Sequence, residues 1–327
     1  MSLIKISNIS DLKIMYLTTS IGFKAFEFLG DFGLYSNVFL KINKKNNITT
    51  VNSYFYNLLI TKYGGTSQLN YDSRTHYNLI LNEIIYDNID NFNDIIKEFK
   101  KVILNYKKSE YIVDNLNLNT LMVLINKGDL KDYYSLIFLG IPFALKIKDK
   151  KKMMLKIYDF LINFTKDYNQ ILATIVCGLF VHYSLNRIGP MIWLPEMFKD
   201  LDEMNDKFSK IELEKFTDYF RNYYELNFVD EVFVEKKSHL LIGARNLYFL
   251  ENHCYRNNDF FTEKPEEQIL FVYDSFIRST NNWEKIILYG MMNFNDNINI
   301  SLILGVLYEL NYSSSYINKN LIKRFSL

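Results

Sequence analysis

Apolar residues recur along most of this sequence at the spacing of an amphipathic helix. Where they occupy positions i, i+3, i+4 and i+7, they gather on one face of a helix. Four such stretches stand out, at 92–106, 154–162, 269–277 and 302–310. The sequence shows no series of strictly alternating apolar and polar positions, the pattern of half-buried strands. It therefore predicts an all-α fold, or one that is very nearly so.

Short polar segments separate these stretches. They lie at 41–47, 148–152, 186–190 and 256–267, and we expect solvated loops between helices there. The sequence contains no long linker and no internal repeat of 20–50 residues, which argues against a helical solenoid. We therefore expect residues 1–327 to form a compact single domain, an orthogonal bundle whose helices pack in several directions.

Composition narrows the class of protein. The 38 basic and 37 acidic side chains argue against a broadly basic nucleic-acid-binding protein. The two cysteines, Cys177 and Cys254, are too few for a disulfide framework. The most apolar run, 171–181, is too short to span a bilayer and predicts a buried helix. Residues 1–15 lack the apolar core of a signal peptide, so we expect a cytoplasmic protein with no membrane or nucleic-acid partner.

Conventional catalytic and metal-binding motifs are missing from the sequence. The four histidines are scattered and form no paired metal-ligand spacing, and no glycine-rich phosphate-binding motif occurs. We expect His253 beside Cys254, and Cys177 in its apolar run, to be structural.

Two polar segments stand directly before helical stretches and are the best candidates for a binding site. The first contains Asp72, Ser73, Arg74 and Thr75, and the second contains Asn295, Asp296 and Asn297. Such side chains cap the free backbone N–H groups of a helix start, and the same N–H groups bind anions. Taken alone, each segment is explained by a structural cap. Taken together, two such helix starts would also suit a carboxylate-bridged metal site between helices.

The order of these segments resembles that of the ADP-ribosylhydrolases, also called ADP-ribosylglycohydrolases or dinitrogenase reductase-activating glycohydrolase-like proteins. The C-terminal part is the most similar: residues 271–277 and 282–285 resemble the stretch before the family's last metal motif, a GGDSDST-type sequence that falls on 294–300. Four other landmarks follow in order, GDALG on 22–26, SDDT on 72–75, GAAMRA…G on 131–140 and a T-H-x-H-P turn on 164–168. The resemblance extends from about residue 12 to 325 and implies the family's all-helical fold.

The chain departs from the family at the positions that hold two magnesium ions. Ser73 and Arg74 replace the paired Asp of SDDT, and Ile298 and Ile300 replace the second Asp and the Thr of the last motif. Mg²⁺ requires oxygen ligands, which Ile lacks, and Arg74 adds a permanent cation. The resemblance therefore implies that the two-magnesium site is lost, leaving at most one weakly held Mg²⁺ and no other cofactor.

Three functions stay open at this point. The resemblance first implies a catalytically degenerate ADP-ribosylhydrolase-like pseudoenzyme whose old active-site cleft binds ADP-ribose, another nucleotide or a protein partner. The ligand-binding residues would then be Asp72, Ser73, Arg74, Thr75, Asn295, Asp296 and Asn297, with no catalytic residue.

The second alternative is an active hydrolase that removes ADP-ribose from a modified protein or small molecule. Asp72 and Asp296 would be its surviving metal ligands, with Glu27 or Asp31 as a substitute carboxylate. The third is an unrelated all-α interaction module, which predicts no shared cleft between residues 70–76 and 293–300.

Overall fold

A computed structural model of the protein describes residues 73–107, 136–234, 264–279 and 297–312, together with 281–282, 285–286 and 289–290. Most of these residues are helical. The prediction of an α-helical fold from the apolar spacing is therefore confirmed for the described part of the chain.

The described residues form nine α-helices and one small hairpin. The helices are α1 (Ser73–Asn88), α2 (Phe92–Lys107), α3 (Gly140–Lys146), α4 (Lys150–Leu161), α5 (Tyr168–Leu185), α6 (Trp193–Asp202), α7 (Lys210–Asn227), α8 (Pro265–Ser279) and α9 (Asn297–Tyr312). Short 3₁₀ turns at Ile137–Leu139 and Pro190–Ile192 lead into α3 and α6. Strands β1 (Phe228–Val229) and β2 (Val232–Phe233) follow α7 and pair antiparallel, with Phe228 opposite Phe233.

Each of the four predicted apolar stripes lies in a helix. The stripes at 92–106, 269–277 and 302–310 fall within α2, α8 and α9, and the one at 154–162 ends one residue beyond α4. The loop predicted at 186–190 does connect two helices, α5 and α6. The polar segments at 41–47 and 256–263 lie outside the described residues.

Two predicted loops are instead helix starts. Asp149 caps α4, its carboxylate accepting from the Lys152 backbone N–H at 2.7 Å, so 150–152 form the first turn of that helix. Pro265 begins α8, where a residue without an N–H costs no hydrogen bond. Glu266 and Glu267 follow it and are only 7% and 1% exposed. The expectation of a solvated loop is therefore wrong at these residues.

Two helices form the centre of the described core. Helix α5 is buried at every residue from Gln170 to Ser184 and contacts α3, α4, α6, α7, α8 and α9. Helix α8 is buried from Glu266 to Ser279 and packs on α5, α7 and α9. The predicted buried helix at 171–181 is confirmed, with Cys177 fully buried inside it.

Helix α3 approaches the backbone of α5 closely at one glycine. A Cβ added to Gly140 would lie 2.3 Å from the carbonyl oxygen of Thr174 and 2.7 Å from the backbone nitrogen of Gly178. Gly178 faces the same contact, because a Cβ there would lie 3.4 Å from the Gly140 carbonyl oxygen. The absence of a side chain at Gly140 lets the two backbones touch.

None of the described helices has the length and apolar character needed to cross a bilayer.

Candidate functional site

Both polar segments singled out in the sequence lead into helices. Helix α1 begins at Ser73, so Arg74 and Thr75 lie in its first turn. Helix α9 begins at Asn297, five residues before the apolar stripe that predicted it. Neither first turn contains an acidic residue. The expectation that these segments start helices is confirmed.

The convergence of these segments on one cleft stays a prediction. Asp72, Asn295 and Asp296 lie outside the described residues, as do the landmarks at 22–26 and 131–135 and the side chains of 73–75 and 297. What the structure describes is where the two helices pack. Helix α1 lies against α2 and α3, and helix α9 lies against α5 and α8.

The turn at 164–168 forms the start of the central helix α5. Asp167 is the N-cap, and its carboxylate accepts from the Asn169 backbone N–H at 2.9 Å. The Thr165 hydroxyl oxygen in turn accepts from the Asp167 backbone N–H at 3.0 Å. The side chains of this turn thus satisfy backbone donors at a helix start.

The starts of α5 and α8 meet at a buried carboxylate. The Asn169 side-chain amide of α5 donates to Oε1 of Glu266, on α8, over 3.5 Å. Burial raises the pKa of Glu266, its own backbone N–H and the Lys264 ammonium lower it, and nearby Asp167 raises it slightly. Burial also raises the pKa of Tyr168, and the carboxylates of Glu266 and Asp167 add to that effect. Among the described groups that shift the pKa of these two side chains, carboxylates therefore outnumber the Lys264 ammonium.

A second buried carboxylate, Asp200 on α6, joins three helices. It is 3% exposed and accepts one hydrogen bond from the Lys150 ammonium of α4 and another, at 2.5 Å, from the Tyr183 hydroxyl of α5. Burial and the bond to Asp200 raise the pKa of Tyr183. A phenol in that state holds its proton and donates, so it serves as a structural donor and not as a base.

His182 lies beside this cluster, near the end of α5. Burial and the Lys150 ammonium lower its pKa, and the carboxylates of Asp200 and Asp149 oppose that shift. The imidazole is therefore neutral at neutral pH. The sequence does not indicate this cluster, because Asp200 lies 17 residues from Tyr183 and 50 residues from Lys150, separations that no spacing rule describes.

A third polar cluster ties α7 and the hairpin to α8. The Arg278 Nε donates to Asp274 Oδ1 at 2.7 Å, and the Tyr223 hydroxyl donates to the same oxygen at 2.6 Å. Arg278 also donates to Asn227 Oδ1 at 3.2 Å and lies over the Phe233 ring at 4.7 Å. The Asp274–Arg278 pair has the i, i+4 spacing of helical ion pairs, a signal that is visible in the sequence.

The described residues contain no group of three or more His, Cys, Asp and Glu side chains placed to hold a metal ion. Comparisons with protein-family models and with curated proteins find no match to this chain. The likeness to the ADP-ribosylhydrolases therefore rests on the sequence motifs themselves.

Proposed function

We propose that this protein is an ADP-ribosylhydrolase-like pseudoenzyme that binds ADP-ribose or a related nucleotide at the starts of α1 and α9. The observation that carries the proposal is the position and charge of those two starts. They follow Asp72 and Asp296 directly, in the segments that resemble the family's metal motifs, and no acidic residue occupies either first turn. The proposed ligand-binding residues are Asp72, Ser73, Arg74, Thr75, Asn295, Asp296 and Asn297.

The physical argument concerns the anionic part of the ligand. A helix start presents unpaired backbone N–H groups and a partial positive charge. An acidic residue in the first turn would offset that charge, and neither helix carries one, so the acidic residues nearest to the two starts are Asp72 and Asp296 just before them. Arg74 adds a full positive charge in the first turn of α1, where the family holds metal ions. Phosphate groups therefore suit this position, and Ser73 and Asn297 offer hydrogen bonds to ribose hydroxyls.

The test is thermal unfolding with increasing ADP-ribose, with and without Mg²⁺. A ligand present at about 100 times its Kd stabilises a protein by roughly 2.7 kcal/mol, which raises the Tm measurably. We expect the rise without Mg²⁺. A rise that requires Mg²⁺ would instead favour the active hydrolase and call for an assay of ADP-ribose release. No rise under either condition would contradict the proposal.

A substitution links the effect to the helix start. Arg74→Ala should abolish the ligand-induced rise without lowering the Tm of the free protein, because a cation at a helix N-terminus opposes the helix dipole. The matched control is Lys152→Ala, which removes an exposed basic side chain from the first turn of α4. That variant should respond to ADP-ribose as the wild type does.

One exposed patch favours the alternative of an interaction module. Val229 and Val232 lie opposite each other in the hairpin and are 61% and 62% exposed, and neighbouring Val234 is 44% exposed. An apolar strand face of this kind suits contact with another protein surface. The simplest such contact is between two copies of this chain. Analytical ultracentrifugation over a range of protein concentrations would detect this self-association. A double Val229→Thr and Val232→Thr variant should then be more monomeric than the wild type.

A further inference from the structure

The junction between the starts of α5 and α8 leaves one carboxylate oxygen unused. Glu266 is 7% exposed, and its Oε1 accepts the long hydrogen bond from Asn169. Its other oxygen, Oε2, is buried and receives no hydrogen bond in the part of the chain that the structure describes. Burying such an acceptor without a donor is costly, and native proteins rarely leave one so. A donor from outside the chain would satisfy it.

The surroundings of Glu266 favour a positively charged donor. Asp167 caps α5 beside it. The carboxylates of Glu266, Asp167 and Glu212 all raise the pKa of the Tyr168 phenol. Lys264 is the basic side chain, among the described residues, that lowers the pKa of Glu266. Of the described charged groups that shift the pKa of Glu266 or Tyr168, three are carboxylates and one is an ammonium, and the half-buried ring of Tyr168 lies beside them.

Within the described residues, only one oxygen of Glu266 lacks a hydrogen-bond donor, and this limits the kind of cation that fits the junction. A guanidinium binds a carboxylate best through two parallel hydrogen bonds, which need both oxygens. A divalent metal needs several ligands, and the described residues contain no group of three or more acidic, His or Cys side chains so placed. A primary ammonium is compact and needs one strong acceptor.

We propose that the junction of α5 and α8 binds a primary ammonium group, with Oε2 of Glu266 as its acceptor and the ring of Tyr168 alongside. The ammonium belongs to a lysine side chain of another protein or to a small polyamine. This site is separate from the proposed nucleotide site at the starts of α1 and α9, and neither proposal depends on the other.

The experiment compares cations by isothermal titration calorimetry of the full chain in phosphate buffer, which contains no amine. The probes are putrescine, Nα-acetyl-lysine amide and tetramethylammonium, which has a positive charge but no N–H donor. We expect saturable binding of at least one of the primary amines and none of tetramethylammonium. Tighter binding of putrescine assigns the site to a polyamine, and tighter binding of the lysine derivative assigns it to a protein side chain. Equal heats from all three cations, or no binding of either amine, would overturn the proposal.

Two variants test the role of Glu266. Glu266→Gln keeps the size of the side chain and removes its charge, and it should weaken amine binding by about tenfold or more. Asp167→Asn removes one charge from the same junction and keeps a side chain that can cap α5. The affinity of this variant for the amine should therefore be within about threefold of the wild-type affinity. Equal losses in both variants would show a diffuse charge effect and refute a specific acceptor. The comparison of cations in the wild type holds even if Glu266→Gln fails to fold.

An Arg74→Ala protein separates this proposal from the nucleotide proposal. It should bind the primary amine with the wild-type affinity, whether or not ADP-ribose binds to the wild type. A change in amine binding in that variant, in particular a gain from the loss of the repelling Arg74 cation, would mean that the ammonium is held at the start of α1, and the assignment to Glu266 would be wrong.

Discussion

Replacing Gly140 with Ala tests whether the core depends on backbone contact between α3 and α5. The new Cβ would lie 2.3 Å from the Thr174 carbonyl oxygen, whereas ordinary contact begins at 3.4 Å. The two helices would therefore have to separate by roughly 1 Å, since the atom in the way belongs to a backbone. The carbonyl belongs to α5, which is buried along nearly its whole length, so it has little room to yield.

The expected cost follows from these distances. Overpacking of a tight core typically lowers the free energy of unfolding by about 1–3 kcal/mol. The better helix propensity of Ala offsets at most about 1 kcal/mol, and less at the first residue of a helix. We therefore expect Gly140→Ala to lower the free energy of unfolding by about 1–2 kcal/mol. At about 2–4 °C per kcal/mol, the Tm falls by several degrees.

Gly189 provides the matched control. A Cβ there would meet nothing within 4 Å, and its backbone has φ −63° and ψ 137°, which any residue adopts. Gly189→Ala should leave the Tm unchanged or raise it, because Ala reduces the entropy of the unfolded chain. Thermal and urea unfolding of both variants provides the comparison. A Gly140→Ala protein as stable as the wild type would refute the close contact between the two helices.

Three further substitutions test individual contacts. Tyr183→Phe removes a buried donor to Asp200 and should lower the urea midpoint by an amount equivalent to about 1.5–3 kcal/mol. Asp230 and Glu231 form the hairpin turn with φ of 48° and 63°, a left-handed conformation that favours Gly and strains most other residues. Glu231→Gly should therefore raise the Tm, and an unchanged Tm would contradict the strain at this turn. Since burial raises the pKa of Glu266, its charge costs stability as the pH rises through that pKa. In amine-free buffer, Glu266→Gln should therefore be more stable than the wild type at pH 7, and a titration of Tm against pH should show the difference shrinking towards acid pH.

The helices could be predicted because their apolar spacing is a local property. Where the prediction from the sequence was wrong, tertiary packing determined the structure. Glu266 and Glu267 suggested a solvated loop, since charged residues are rarely buried, yet both lie inside α8 and are enclosed with it. Pro265 before them was the local sign of a helix start, and it indicated the helix better than the charges indicated a loop.

The candidate site could be predicted in part for the same reason. Helix starts follow from nearby capping residues, so Ser73 and Asn297 are found where the polar segments indicate. The Asp200 cluster depends on Lys150 and Tyr183, which reach it from two other helices. No periodicity in the sequence indicates that these three side chains contact one another. A buried Asp in a helix with apolar neighbours indicates that a partner exists, without indicating which residue it is.

The charges at the helix starts connect the two proposed sites. Helices α1 and α9 begin without an acidic residue in the first turn, and Arg74 adds a cation to one of them. Helix α8 begins with two buried carboxylates and meets the Asp167 cap of α5 through Asn169. A helix dipole favours anions at all of these starts, so the side chains decide what each one binds. The first turn of α1, which carries Arg74 and no acidic residue, suits a phosphate, and the start of α8, where a carboxylate oxygen is left over, suits an ammonium.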